Sequence, residues 1–277
     1  MAKLTGQGTP EREGSSGTLD VGAPNQSFSF SGDTHVIYSR RVRLFSGSTS
    51  TFDLITNAFV ETPPYTAAIA QRDTATAAGT ITLAGNAAVT VTAAGLTGSP
   101  LAISVPVSLG DTASVWAGKV RTALAANAAI AAMFEILGSG TSIILDRIID
   151  DAGVANDATL NIALANGTCT GITPAASSAN TISGSVAVGG LADGANGVDA
   201  EGLALPPLSG IVGFFVQGIR GSLRYNDGST QDGQVDAGGM DCKSNENTLT
   251  LDDSLILEPL VSPCEVIITV ACVKGAV

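Results

Sequence analysis

The feature that most constrains this chain is an abrupt change of texture inside it. A strand-patterned stretch ends at Pro63-Pro64, a long block dominated by Ala, Thr, Gly and Ser follows, and the strand pattern resumes only after the Gly-rich run from Gly189 to Gly197. The first flank holds about three strands in some 30 residues and would bury little alone, whereas the two flanks together supply enough strands for a two-layer fold. The expectation is a mainly β chain: a discontinuous antiparallel β-sandwich, jelly-roll-like, over residues 27–71 plus 189–277, interrupted by a small α+β module over 72–188.

Residues 1–26 are rich in Gly, Ser and Pro and have no hydrophobic periodicity, so they read as an extended N-terminal arm. From Ser27 the pattern turns strand-like. Phe28 and Phe30 alternate, Val36, Tyr38 and Arg41-Val42-Arg43-Leu44 follow, and Phe52-Asp53-Leu54-Ile55 would close a hairpin across Ser46-Gly47-Ser48. In the last flank, strands are expected at Ile211 to Val216, Ser222 to Tyr225, Thr248 to Leu251, Leu255 to Leu257 and Val266 to Val273, with a turn at Asn226-Asp227-Gly228.

The middle block alternates with period two at Thr80 to Leu83, Val89 to Val91 and Leu101 to Val105. Asp111 is placed to cap a helix whose apolar face carries Trp116, Val120, Ala123 and Leu124. Phe134 to Leu137, Ser142 to Leu145 and Leu160 to Leu164 supply further strands.

Charge narrows the function. Only 14% of residues are charged, against about 25% in an average globular protein, and the net charge of −12 opposes the clustered phosphate contacts that nucleic acid demands. The apolar run from Leu203 to Gly218 is broken by Pro206 and Pro207, and the Ala-rich stretch after Asp111 carries Lys119 and Arg121, so no membrane span is expected. The N-terminus lacks the apolar core of a secretory signal, and the expectation is synthesis for the cytoplasm.

Groups able to do chemistry are sparse. The single histidine, His35, stands at a strand start and reads as structural, and no nucleophile elbow, zincin, phosphate-loop or dinucleotide fingerprint occurs. Asp146, Asp150, Asp151 and Asp157 could offer oxygens to Ca²⁺ but match no EF-hand spacing, and both they and Asp227, Asp232 and Asp236 read as solvated loops. Arg40, Arg41 and Arg43 are the one basic concentration. Alternation puts Arg41 and Arg43 on one strand face and Arg40 on the other, a solvated face or, against an acidic partner, an interface.

Cys169, Cys242, Cys264 and Cys272 contain no C-x-x-C pair. Cys264 and Cys272 would share a strand face about 27 Å apart, too far to bridge, which leaves Cys242 with either of them open; the reading is small buried hydrophobes with reduced thiols. The expected set of catalytic, cofactor-binding and metal-ligating residues is therefore empty, with no cofactor and no enzymatic activity.

The middle block has a further likeness. Gly79-Thr80-Ile81-Thr82-Leu83, Pro106-Val107-Ser108-Leu109-Gly110-Asp111-Thr112-Ala113, the helix with Val120 and Leu124, Asn156-Asp157-Ala158-Thr159-Leu160-Asn161-Ile162, Asn166-Gly167-Thr168 and Thr170-Gly171 together resemble a module inserted in structural proteins of tailed bacteriophages, including tail sheath and tube proteins. The likeness covers about 40% of the chain. The flanks resemble a phage β-sandwich through Tyr38-Ser39-Arg40 to Leu44, Phe52-Asp53-Leu54, Asp236-Ala237-Gly238-Gly239 and Leu249-Thr250-Leu251. The resemblance implies a non-enzymatic virion protein assembled in the host cytoplasm as a homo-oligomer against the major capsid protein or other virion proteins. A decoration or cement role on the outer capsid is the first expectation. A tail tube or fibre-associated protein is the second, and a carbohydrate-binding adhesive module, for which Trp116, Tyr38, Tyr65 and Tyr225 are the candidate aromatics, is the third.

Overall fold

The computed structural model describes residues 16–20, 27–31, 35–198, 202–226, 232–244 and 254–274. The chain divides into two compact units, residues 1–66 with 187–277 and residues 67–186. Strand outweighs helix 54% to 8%, so the protein is mainly β, and its sheets are antiparallel.

The first unit opens with β1 (Ser16–Asp20) and β2 (Ser27–Ser31), an antiparallel pair with Leu19 opposite Phe28. Residues 16–20 are thus strand, not extended arm; residues 1–15 and 21–26 lie outside the described residues. In β3 (His35–Leu44) side chains alternate, with Tyr38, Arg40, Val42 and Leu44 buried. β4 (Ser50–Asp53) and β5 (Ala58–Val60) form a short hairpin with Phe52 opposite Phe59.

The second unit holds two sheets on one core. β6 (Arg72–Thr76), β9 (Phe134–Leu137), β10 (Ser142–Arg147) and β12 (Ala179–Ile182) give the order β12-β6-β10-β9. β7 (Gly85–Thr92), β8 (Leu101–Val107) and β11 (Asn161–Asn166) give the order β11-β7-β8. Helix α1 (Ala113–Ala126), followed by the single turn α2 (Ala128–Ala131), buries Trp116, Ala117, Val120 and Leu124 among Val89, Val91, Val105, Ile143 and Leu145.

Two expectations for this unit are corrected. The strand expected over residues 80–83 does not form: Ile81 is buried, but Leu83, two residues on, is 56% exposed. The segment is a crossing instead. Gly79 (φ +91) and Gly171 (φ +104) pass so closely that a Cβ on either would overlap the backbone of the other segment, and pairing there is limited to a single bridge between Leu83 and Thr170. Asp111 is not the helix cap, for the N-cap position is Thr112. The Asp111 carboxylate instead accepts the Ser108 N–H and the Lys119 ammonium, and its carbonyl accepts the Ile81 N–H.

The chain passes between units on two adjacent segments. Thr66 and Val188 exchange N–H···O bonds of 3.0 and 3.1 Å, and Ile69 and Ser185 exchange bonds of 3.1 and 3.0 Å. Back in the first unit, β13 (Gly190–Ala192) joins the edge of β3. β14 (Leu208–Asn226) and β17 (Ser254–Lys274) then run antiparallel along their whole length, with β15 (Asp232–Asp236) and β16 (Met240–Ser244) on the far side of β14.

Segments expected as two strands, Ile211 to Val216 with Ser222 to Tyr225 and Leu255 to Leu257 with Val266 to Val273, are therefore each one bent strand. Nor do β3 and β4 pair as a hairpin: β3 pairs with Cys264 to Val273 and β4 with Ser254 to Leu257. The expected strand at Thr248 to Leu251 and the turn residues Asp227 and Gly228 lie outside the described residues.

The flanks consequently make one eight-stranded hydrogen-bonded sheet where two sandwiched sheets were expected. The register of β14 against β17 slips between Gly218 and Leu223. At Gly221 (φ +70) a Cβ would sit 2.6 Å from the carbonyl oxygens of Val261 and Pro263, so the bend is built on an absent side chain. Beyond the bend the two halves share one core: Val266, Ile268 and Val270 cluster with Phe52, Leu223, Leu255 and Leu257. The Tyr38 hydroxyl and the Cys272 thiol, on one half, both donate to the carbonyl of Leu54 beside the other.

Candidate functional site

The arginine group is the most structured of the expected features, and its members part company. Arg41 and Arg43 lie on the outward face, where Arg41 pairs with Glu265 and Arg43 with Asp193 at 3.1 Å. Arg40 is not solvated: it is 7% exposed on the face shared with Tyr38 and Val42. Its Nε donates to Asp193 O (3.0 Å), Nη1 to Asn57 O (2.7 Å) and Asn196 Oδ1 (2.8 Å), and Nη2 to Gly194 O (2.9 Å). Four acceptors from two distant loops are tied to one planar donor group. Among the described residues no carboxylate forms an ion pair with it, and burial lowers its pKa from the usual guanidinium range.

Sequence reasoning missed both asparagines of this knot. Asn57, with φ 49 and 2% exposure, donates to Val198 O, while Asn196 Oδ1 also accepts the Phe59 N–H at 2.9 Å. A recess of about 290 Å³ borders the knot, lined by Ser39, Arg41, Asp193, Ala195, Val198 and Ile267 among others. The Asn57 Oδ1 has no partner, but it is sealed from solvent.

Of the carboxylates expected in solvated loops, Asp150, Asp151 and Asp236 are exposed, whereas Asp146 and Asp157 are half-buried and bonded. Asp146 pairs with Arg72 across the β10 and β6 ladder, and Asp150 Oδ1 accepts the N–H groups of Ala152 and Gly153 within its own turn. Asp157 accepts Ala94 N–H (2.6 Å) through Oδ2 and both Thr159 N–H (2.8 Å) and Thr159 Oγ1 (2.6 Å) through Oδ1. Its backbone is clasped by the Gln71 amide, which donates to Asp157 O and accepts from Asp157 N. Asp73, unmarked by any motif, is buried beside Gln71 and accepts from Ser178 Oγ at 2.7 Å. Asp151 is exposed. Asp227 and the side chain of Asp232 lie outside the described residues, and Asp236 is exposed, accepting from Gln234 at 3.3 Å. No group of three or more His, Cys, Asp or Glu comes together among the described residues.

These bonds set a pH dependence. Burial works against the Asp157 carboxylate, but the Thr159 hydroxyl, the two backbone N–H donors and the Arg147 charge together hold its pKa below the usual range. The Lys119 and Ser108 donors do the same for Asp111. A folded pKa below the unfolded one, about 3.9 for Asp, means stability present above that value and lost as pH falls through the folded value. The second unit should therefore keep its thermal midpoint from neutral pH down to about pH 5 and lose it steadily below about pH 4. Asp157→Asn should flatten that acid limb; an unchanged acid limb in scanning calorimetry would contradict the assignment.

The remaining candidates are structural. His35 opens β3 opposite Val273 and is half-buried. Cys169, Cys264 and Cys272 are free and buried, and burial pushes the thiols of Cys264 and Cys272 up to about 12, so neither is a thiolate at neutral pH. The thiol of Cys242 lies outside the described side chains. Trp116 is fully buried and donates to Gly79 O at 3.2 Å. Tyr38 and Tyr225 are buried, the latter donating to Asp241 at 2.6 Å, and Tyr65 leans half-buried on Phe45. None of these four rings is an open stacking platform.

What the surface does offer is apolar. At the bend of β14 and β17, Ile219, Leu260 and Val261 are 43%, 45% and 55% exposed on a unit whose neighbouring charges, such as Arg224 and Glu258, are paired. The sequence reading made no assignment for Leu260 and Val261, which lie between the two strands it placed at 255–257 and 266–273. No described helix is long and apolar enough to cross a membrane. Compared with protein-family models, curated proteins and solved structures, the chain matches none.

Proposed function

We propose that this chain is a non-enzymatic structural protein of a tailed-phage virion, a decoration or cement protein of the outer capsid that works through contacts between subunits. The observation that carries the reading is the architecture: one compact β-rich unit is inserted within the chain of another, and the candidate polar groups Arg40, Asp146 and Asp157 are engaged in internal bonds. A chain only 14% charged, with an exposed apolar bend, suits a protein held in place by shape-complementary contacts in many copies. The likeness of the middle block to modules of phage structural proteins points the same way. Its partners on this reading are the major capsid protein and further copies of itself.

Gold-labelled antibody imaging of particles from the source phage tests the proposal. Label distributed over the shell is the expected result. Label confined to the tail would replace the capsid role with a tube or fibre-associated one, to which the tail-protein likeness also lends support, and particles without label would end the virion reading.

A further inference from the structure

Asn-Gly occurs twice in the chain, at Asn166-Gly167 and Asn196-Gly197, and both asparagines are exposed. In this dipeptide the backbone can attack its own side-chain amide, because glycine brings no Cβ to shield its nitrogen. The two sites are built differently. Asn166 Oδ1 accepts the Ile172 N–H at 3.0 Å and the Cys169 thiol at 3.9 Å, and a Cβ on Gly167 would sit 2.6 Å from Asn86 O. Asn196 Oδ1 accepts Arg40 Nη1 at 2.8 Å and the Phe59 N–H at 2.9 Å, while its Nδ2 makes a long bond of 3.4 Å to Phe59 O. A Cβ on Gly197 would meet nothing nearer than Thr56 O at 3.8 Å, so a ring has room to close there.

A guanidinium and a backbone N–H converging on one carbonyl oxygen stabilise the negative charge that oxygen gains when its carbon is attacked. The Asn196 amide is thus polarised at the oxygen and lightly held at the nitrogen that would leave. Arg40 in turn is a buried cation in need of an anion. Three of its four acceptors are main-chain carbonyls, and the fourth, Asn196 Oδ1, belongs to the one group that hydrolysis can turn into a carboxylate.

We propose that Asn196 is a self-modification site, at which attack by the Gly197 nitrogen and loss of ammonia deliver an aspartate carboxylate to Arg40. A bond forms between Gly197 N and Asn196 Cγ, the Gly197 amide proton passes to solvent, and the bond from Cγ to Nδ2 breaks as ammonia leaves with a proton from water. Water then adds to the Cγ carbonyl of the cyclic imide, breaks the new C–N bond and restores the peptide N–H. Water is consumed, ammonium is released, and no electrons are transferred. Opening at the main-chain carbonyl would give isoaspartate and lengthen the backbone. That backbone is tied on both sides, by Arg40 to Asp193 O and Gly194 O and by the Leu205 N–H to Gly197 O at 3.0 Å, which favours aspartate. The product keeps both donors to Oδ1, gives up the 3.4 Å bond and gains a charge-assisted one to the buried guanidinium. The change is irreversible and tightens the 193–196 loop on β3 as the protein ages. It concerns the first unit alone and does not depend on the virion reading.

The test incubates the full-length protein at neutral pH in heavy-oxygen water and maps its peptides by mass spectrometry. Label should enter residue 196 about tenfold faster than residue 166 of the same molecules, with aspartate exceeding isoaspartate. Gly197→Ala should slow conversion at 196 by about tenfold and leave 166 unchanged. Asn196→Asp, the finished product, should raise the urea midpoint of the first unit. Conversion at 196 no faster than at 166, isoaspartate as the main product, a Gly197→Ala rate equal to wild type, or a lower midpoint for Asn196→Asp would each overturn the proposal. None of these outcomes bears on whether label is found on particles.

Discussion

Gly171→Ala should unfold the inserted unit while leaving the other unit intact. Gly171 holds φ +104, where an L-residue is strained, and its Cβ would overlap Thr80 O and lie 2.6 Å from Thr82 N and 2.9 Å from Ile81 Cα. All three are main-chain atoms of the segment that bears Ile81, itself buried beside Trp116 in the core. Relief would require moving that segment, which breaks the Ile81 N–H bond to Asp111 O and the Thr82 N–H bond to Thr170 O. The cost is about 4 kcal/mol or more, a large share of the 5 to 15 kcal/mol that holds a typical domain together. Gly110→Ala is the control, since Gly110 has φ +85 with nothing near its missing Cβ and should lose only about 1 kcal/mol. Denaturant unfolding followed by Trp116 fluorescence reads the inserted unit alone, because Trp116 is the sole tryptophan. Equal midpoints for the two variants would show that the crossing is not tight.

Arg40→Met should destabilise the first unit by about 3 to 5 kcal/mol. Methionine keeps most of the volume and supplies no donor, so the carbonyls of Asp193 and Gly194 lose the Arg40 partner and the 193–196 loop loses its tie to Asn57. Arg40→Lys should fall almost as far, because an ammonium cannot reproduce a planar fork of donors aimed at four acceptors. Arg41→Met, one residue away, removes a half-exposed ion pair and should cost no more than about 1 kcal/mol. Urea titrations by circular dichroism would give all three; similar losses for Arg40→Met and Arg41→Met would mean the buried knot contributes nothing special.

The contrast between these neighbouring arginines shows what was legible in the sequence. Alternation correctly separated Arg40 from Arg41 and Arg43, and the pattern that did so also put Arg40 on the face of Tyr38 and Val42. Its acceptors come from residues 57 and 193–196, and no local signal links a strand residue to loops so far along the chain. The short strands of the inserted unit and the helical face of Trp116, Val120 and Leu124 were legible, because each element buries one side of a regular repeat.

Where the reading failed, glycine or proline had punctuated a strand without ending it. Gly218 and Gly221 split the pattern of β14, and Pro259 and Pro263 that of β17, yet both strands continue through a bend in which the missing side chains make room. Residues 80–83 failed in the opposite way. Their Thr-Ile-Thr-Leu order alternates in type, but Ile81 is buried and Leu83 exposed, so the order did not report a strand face. The bend that carries the exposed apolar surface was illegible for the first reason: Leu260 and Val261 lie between the two strands placed at 255–257 and 266–273 and received no assignment.

The paired crossings at Thr66 with Val188 and Ile69 with Ser185 have a consequence for how such a chain can change. Everything that enters and leaves residues 67–186 does so on one antiparallel pair of backbones about 5.5 Å apart. At this junction the host ladder meets that one separation. Any other domain whose own ends lie as close together can be grafted at this point without re-registering a strand, and a bare two-residue turn would satisfy the same boundary. The junction works as a socket: the first unit can keep its strand register while the inserted residues are exchanged, lengthened or dropped.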